Sequence, residues 1–190
     1  MKIIKKVRNI IPGGLLYILY QLSSTKCKEL INEDIAAYNR KNTKKINMID
    51  LVFEESKRTF RNVLYYRFKS DNCNERLLKI CRILIPQIET IEIGGEIDGG
   101  LKIIHNYCVI SVEKAGKNFT VLQGVTIGKN IDGGKPNIGD NVIVYPNSTI
   151  FGKIKIGNDV KIGAGSVVNK NIPDCSVVIG NPAKIIRTDG

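Results

Sequence analysis

An apolar residue recurs at every sixth position through the second half of the chain: Ile85, Ile91, Ile97, Ile103, Val109, Ala115, Val121 and Ile127. The series breaks over the five residues Gly133 to Asn137 and resumes at Ile138, Val144, Ile150, Ile156, Ile162 and Val168. At a hydrophobic content of 43%, chance filling of every slot has odds of about one in 100,000. A helix needs an apolar period of 3.6 and a strand a period of 2, so a period of six fits neither as one continuous element. The chain must turn every six residues.

Three hexads close into an 18-residue triangular coil whose slot residues point inward, and coils stack through parallel strands about 4.8 Å apart. No coil buries enough apolar surface alone, so stability is cooperative along the stack. The predicted fold is mainly β: a parallel β-helix of hexapeptide repeats over residues 85–173, preceded by a helical region over 1–84 and followed by a tail over 174–190. The inserted residues, with Gly133, Gly134 and Pro136, cannot continue the wall and predict a protruding loop over 129–137. In the first part, Ile46 to Phe68 and Asn74 to Leu84 read as helical, with a polar linker from Asn39 to Lys45.

Charge divides the chain at the same place. Residues 1–84 hold 18 Lys plus Arg and 8 Asp plus Glu, a net of +10, whereas 85–190 hold 11 and 10, a net of +1. This basic part is expected to be a solvated face or to make peripheral contact with anionic lipid at the inner membrane face; nucleic acid is not an expected partner. No apolar run approaches the ~20 residues of a spanning helix. Met1 to Leu22 imitates a signal peptide, but Pro12, Gly13 and Gly14 are read as interrupting its apolar core. Five scattered cysteines without a CxxC pair argue against a disulfide framework or a zinc site and point to a cytoplasmic protein. His105 is the one histidine, which excludes sites built from several imidazoles of one chain, including the three-histidine zinc site of β-helix carbonic anhydrases.

The hexad array, the segment Gly99 to His105, the run Gln123 to Gly128, the glycine-bearing loop, Ile162 to Val168 and the closing Gly180 to Lys184 resemble the serine acetyltransferase branch of the left-handed β-helix acyltransferases. The resemblance covers about residues 85–187 and implies the left hand, acetyl-CoA as acetyl donor, no metal, and a homotrimer with active sites between prisms. It makes His105 the general base. An alcohol is a poor nucleophile until its proton can leave, and imidazole, ordinarily titrating near about 6.5, is mostly free base at neutral pH. The cofactor-binding candidates are Gly128, Pro146, Lys161, Ala164, Ser166 and Lys184, and the substrate-binding candidates are Asn106, Gln123 and Lys135. Gln123 lies one 18-residue coil beyond His105, stacked beneath it. A backbone amide near Gly124 or Gly128 is the expected oxyanion donor.

Departures from the family pattern bear on the acceptor. Ile104 stands where an acidic residue precedes the catalytic histidine, Thr90 where the dyad aspartate falls, and Gly134 and Lys135 replace an Arg-His pair suited to a carboxylate. Glu92 is the substitute carboxylate partner for His105. With these losses the chain, including its segment Phe60 to Arg67, resembles most the short polysaccharide-biosynthesis O-acetyltransferases, and that resemblance implies a carbohydrate hydroxyl in surface polysaccharide biosynthesis as acceptor, on a small-molecule or lipid-linked sugar. L-serine O-acetylation feeding cysteine biosynthesis is the alternative enzyme, and a noncatalytic hexapeptide scaffold the alternative class.

Overall fold

The computed structural model describes residues 9–40, 45–131 and 133–188. Its first part is helical: α1 (Ile10–Leu22), α2 (Thr25–Asn39), α3 (Met48–Phe53), a 3-10 turn (Glu55–Lys57), α4 (Phe60–Ser70) and α5 (Glu75–Leu84). Three helices start on a side-chain cap that satisfies an otherwise orphaned amide: Ser24 accepts from Cys27 N–H, Asn47 from Asp50 N–H and Asn74 from Leu77 N–H. The Pro12–Gly13–Gly14 run does not interrupt α1. Pro12 sits in the first turn, where its missing N–H costs nothing, and Gly13 lets the Ile49 side chain approach to 3.2 Å of where a Cβ would stand. The signal-like residues 1–8 and the linker residues 41–44 lie outside the described residues.

The remainder is a left-handed parallel β-helix. Its strands are β1 (Ile91–Ile97), β2 (Lys102–Ile103), β3 (Cys108–Ala115), β4 (Thr120–Val121), β5 (Thr126–Gly128), β6 (Asn137–Ile138) and β7 (Ile143–Val144). They continue with β8 (Thr149–Phe151), β9 (Lys155–Ile156), β10 (Lys161–Ile162), β11 (Val167–Val168), β12 (Ser176–Ile179) and β13 (Lys184–Thr188). One sheet runs β11-β8-β5-β3-β6-β9 with β1 also on β3, and the other β13-β12-β10-β7-β4-β2. The long β3 spans a corner, pairing with β5 through Val109 and Ile110 and with β6 through Lys114 and Ala115. Three walls result, each contributing one buried column: Ile110, Ile127, Ile150, Val168; Ile97, Ala115, Ile138, Ile156, Ile172; and Ile103, Val121, Val144, Ile162, Val178.

Two features differ from the six-residue reading. Val109 is 39% exposed, while Ile110, at 1%, fills the slot. Register against β1 shifts between Gly94 and Glu96, and along the extended β3 alternate residues Cys108, Ile110 and Val112 face inward. Residues beyond Val168 also do more than trail away: Ile172 and Val178 extend two columns, and β13 closes antiparallel on β12.

The corners have their own chemistry. Asn118, Asn141 and Asp159 adopt left-handed backbone at φ 60°, 58° and 56°, a region that Asn and Asp tolerate better than other residues with a side chain. They form a ladder, Asn118 donating to Asn141 at 2.9 Å and Asn141 to Asp159 at 3.0 Å. In the loop between β5 and β6, Gly134 at φ +83° lies where a Cβ would stand 2.6 Å from the Lys153 Cβ, so only glycine fits.

The helical region is bolted to the first coils. Arg67 on α4 and Asp34 on α2 form a two-pronged ion pair with contacts of 2.8 and 3.0 Å, their side chains only 2% and 1% exposed. Arg67 also donates to the carbonyls of Ile97 and Asp98, and the amides of Gly100 and Leu101 donate to Asp34. Burial pushes the Asp34 carboxyl above its ordinary range, opposed by Arg67 and the two amides. Two residues on, Tyr38 and Thr59 both donate to the Ile103 carbonyl, at 3.0 and 2.6 Å, and the Ile103 amide donates to the Tyr38 hydroxyl. These bonds satisfy the free edge of β2, which among the described residues has only β4 as a strand partner.

Candidate active site

His105 follows β2 by two residues, so the contacts fixing Ile103 also fix the histidine's backbone. The turn from Ile104 to Tyr107 is tight, with left-handed φ of 68° at His105 and 61° at Tyr107. Such backbone in residues with side chains costs about 1–3 kcal/mol and persists where surroundings over-determine it. The imidazole is exposed and makes no side-chain hydrogen bond or ion pair among the described residues.

Backbone register continues past the strand pairs. Ile104 N–H donates to Val121 O and Gly124 N–H to Asn106 O, which sets Gln123 beneath His105. Asn147 N–H donates to Gln123 O and Gly165 N–H to Pro146 O, continuing the same edge down the prism. The structure thus brings four of the nominated residues, His105, Gln123, Pro146 and Ala164, into one column along a single corner. Asn106 lies in the same turn, half-buried. Gly128, at the end of β5 opposite Phe151, has open space where a Cβ would stand. Lys135 is half-buried in the loop beyond it, while Lys161 and Lys184 are exposed on the second sheet.

Three nominations change. Ser166 is fully buried, its hydroxyl donating to Gly163 O at 2.6 Å and accepting from Gly180 N–H at 3.2 Å, so it braces a corner and has no free group for CoA. The Gly124 amide, an expected oxyanion donor, is spent on Asn106 O at 3.3 Å. Glu92 pairs in register with Val109, four residues past His105, and lines a cavity against α4 and α5; it makes no contact with the imidazole among the described residues. Thr90 comes nearer that turn, its hydroxyl accepting from Tyr107 N–H at 3.4 Å.

Two exposed aromatic residues of this corner escaped the sequence. Tyr107 beside the histidine is 69% exposed, and Tyr145 beside Pro146 is 39% exposed. Together with Val109 they make the histidine corner apolar as well as open. Alternation cannot show this, because a corner residue's direction depends on the turn. Cys108, three residues from His105, is no nucleophile: it is buried, its thiol donates to Leu122 O at 3.2 Å, and burial pushes its pKa up. Among the described residues, five cavities lie in and around the helical region, and His105 lines none of these. Among the described residues no group of three His, Cys, Asp or Glu is placed to hold a metal ion, and no helix is long and apolar enough to cross a membrane.

Residues 135–170 match the bacterial transferase hexapeptide (six repeats) family. The serine acetyltransferase of Staphylococcus aureus (strain Mu50 / ATCC 700699) is 40% identical over 117 residues, 56% of this chain and 55% of that protein. That of Staphylococcus epidermidis (strain ATCC 12228 / FDA PCI 1200) is 39% identical over 118 residues, again 56% of this chain and 55% of the relative. The chain therefore spans about half the length of the curated relatives it matches. Among solved structures, Neisseria gonorrhoeae serine acetyltransferase superposes with a TM-score of 0.71 at 24% identity, over 97% of this chain and 79% of that one. A serine acetyltransferase in complex with CoA gives 0.68 at 21% identity, over 91% and 75%. At these identities the structural likeness speaks for the fold.

Proposed function

We propose, from a hexapeptide-repeat β-helix that resembles the serine acetyltransferases in sequence and fold, that this chain is an acetyl-CoA-dependent O-acetyltransferase acting on L-serine, with His105 as general base. The observation that carries the reading is the single corner column of His105, Gln123, Pro146 and Ala164, held by coil-to-coil hydrogen bonds. His105 takes the hydroxyl proton as the oxygen attacks the thioester carbonyl. The tetrahedral adduct collapses with C–S cleavage, and the imidazolium returns the proton to the departing thiolate. Gln123, directly beneath, orients the ring or the acceptor. Gly128 with its open approach, Pro146, Ala164 and the lysines Lys161 and Lys184 are the groups we assign to CoA, the lysines suiting its phosphates.

The sequence favoured a sugar acceptor because Ile104 and Thr90 replace two carboxylates. The matched relatives are serine acetyltransferases, and they move the first choice to serine; the missing carboxylates keep a sugar hydroxyl as the second reading. Acetyl transfer measured side by side on L-serine and on sugar nucleotides decides: turnover on serine alone supports the proposal, and turnover on sugars alone replaces it. The exposed imidazole with Tyr107 and Tyr145 around it has a site's chemistry but only half its walls. We infer that a second prism supplies the rest, as in a trimer. The exposed Ile10, Ile11, Tyr17, Ile18 and Leu22 of α1, beside a region of net charge +10, support peripheral contact with anionic lipid; co-sedimentation with anionic but not neutral vesicles is expected.

A further inference from the structure

We propose that the cavity walled by Lys69, Arg82, Gln87 and Glu92 is a binding site for a small oxyanion, its carboxylate or phosphate group held in the fork of the Arg82 guanidinium. The cavity, of about 400 Å³, lies where α4 and α5 face β1, away from the corner that carries His105. Arg82 is half-buried, with its guanidinium carbon 5.6 Å from the centre of the Tyr65 ring. Its Nε is buried and has no hydrogen-bond partner among the described residues. Buried polar groups are nearly always partnered, and an exception asks for a missing water or ion. The place of Arg82 in the last turn of α5 favours a cation but gives Nε no acceptor.

The polar wall groups divide into two sets. Asn62, Tyr65 and Tyr66 are spent on the fold: Asn62 on Ile88 and Ile91, Tyr65 on the carbonyls of Cys81 and Ile85, Tyr66 on Gly95 O. Lys69, Arg82, Gln87 and Glu92 make no side-chain hydrogen bond or ion pair among the described residues. The free set therefore holds two cations, one amide and one carboxylate. A guanidinium fork matches two coplanar oxygens, and Lys69 adds a second positive charge. Glu92 leaves a net single positive charge, which favours a monoanionic carboxylate over a phosphate dianion.

The test is thermal unfolding and titration calorimetry of the full chain with sodium acetate, glycine and sodium phosphate as separate arms at constant ionic strength, on the unaltered protein, Arg82→Met and Arg82→Lys. At ligand ten times Kd, Tm is expected to rise by about 3–6 °C. That rise should vanish in Arg82→Met and weaken in Arg82→Lys, which keeps the charge and loses the fork. Glu92→Gln should raise phosphate affinity relative to acetate. Equal shifts in the unaltered protein and Arg82→Met, or no binding in any arm, overturn the proposal. Should Arg82→Met fail to fold, calorimetry on Arg82→Lys carries the comparison, and unchanged affinity there overturns it too. Because the readout is binding and not acetyl transfer, failure here leaves the catalytic reading untouched, and the reverse holds.

Discussion

Replacing Arg67 by Met removes the cationic half of the clamp between α2, α4 and the first coil. Asp34 then keeps only the amides of Gly100 and Leu101, a buried carboxylate without its counter-charge, and the carbonyls of Ile97 and Asp98 lose the donors they take from Arg67. Breaking one side of a buried pair costs about 3–5 kcal/mol. For a chain of this size each kcal/mol moves Tm by about 2–4 °C, so Arg67→Met is expected to unfold about 6–20 °C lower. Asp34→Asn added to Arg67→Met should recover part of that loss. The amide removes the buried charge, while its oxygen still accepts from Gly100 and Leu101. Thermal unfolding followed by far-UV circular dichroism reads both. A single variant within about 2 °C of the parent, or a double variant worse than Arg67→Met, would refute the reasoning that this pair holds the helices to the prism.

Other outcomes follow from the same geometry. Ile110→Ala should cost about 2–5 kcal/mol in denaturant unfolding, whereas Val109→Ala should stay within about 0.5 kcal/mol; the reverse order would restore the six-residue register at this turn. Tyr107→Lys combined with Tyr145→Lys should lower the sedimentation coefficient by dissociating an assembly built around the histidine corner, and an unchanged coefficient would place the contact elsewhere. Burial pushes the thiols of Cys27 and Cys81 up to about 11 and raises those of Cys73 and Cys108. Below a raised pKa the thiolate is scarce, so iodoacetamide at neutral pH should modify these four cysteines slowly and leave acetyl transfer intact. Rapid modification of Cys108 with loss of activity would contradict its interior placement.

The prism was legible because its core is a column of single inward residues, each six apart. That rule fails where an element is longer than one wall. In β3 two adjacent apolar residues, Val109 and Ile110, compete for one slot, and periodicity cannot choose between them without the register shift opposite Glu96. It fails again at the end, where Val168 to Ile172 is a step of four and the last coil escapes a search for sixes. The histidine corner was legible by arithmetic: 18 residues separate His105 from Gln123 and Pro146 from Ala164, and the 23 between Gln123 and Pro146 are one coil plus the five-residue insertion. Spacing is silent about hydrogen-bond accounting. Ser166 and the Gly124 amide look available in the sequence and are already spent in the fold. The Arg67–Asp34 clamp joins residues 33 apart on two helices, and no local pattern couples them.

The central claim is that His105 removes the acceptor's proton, and His105→Ala tests it most directly when release of CoA thiol from acetyl-CoA is followed with L-serine as acceptor. The account predicts a fall in kcat of about 10²–10⁴-fold with unchanged circular dichroism and Tm, since the exposed ring supports nothing in the fold. A properly folded variant that transfers acetyl at the parent rate would contradict it.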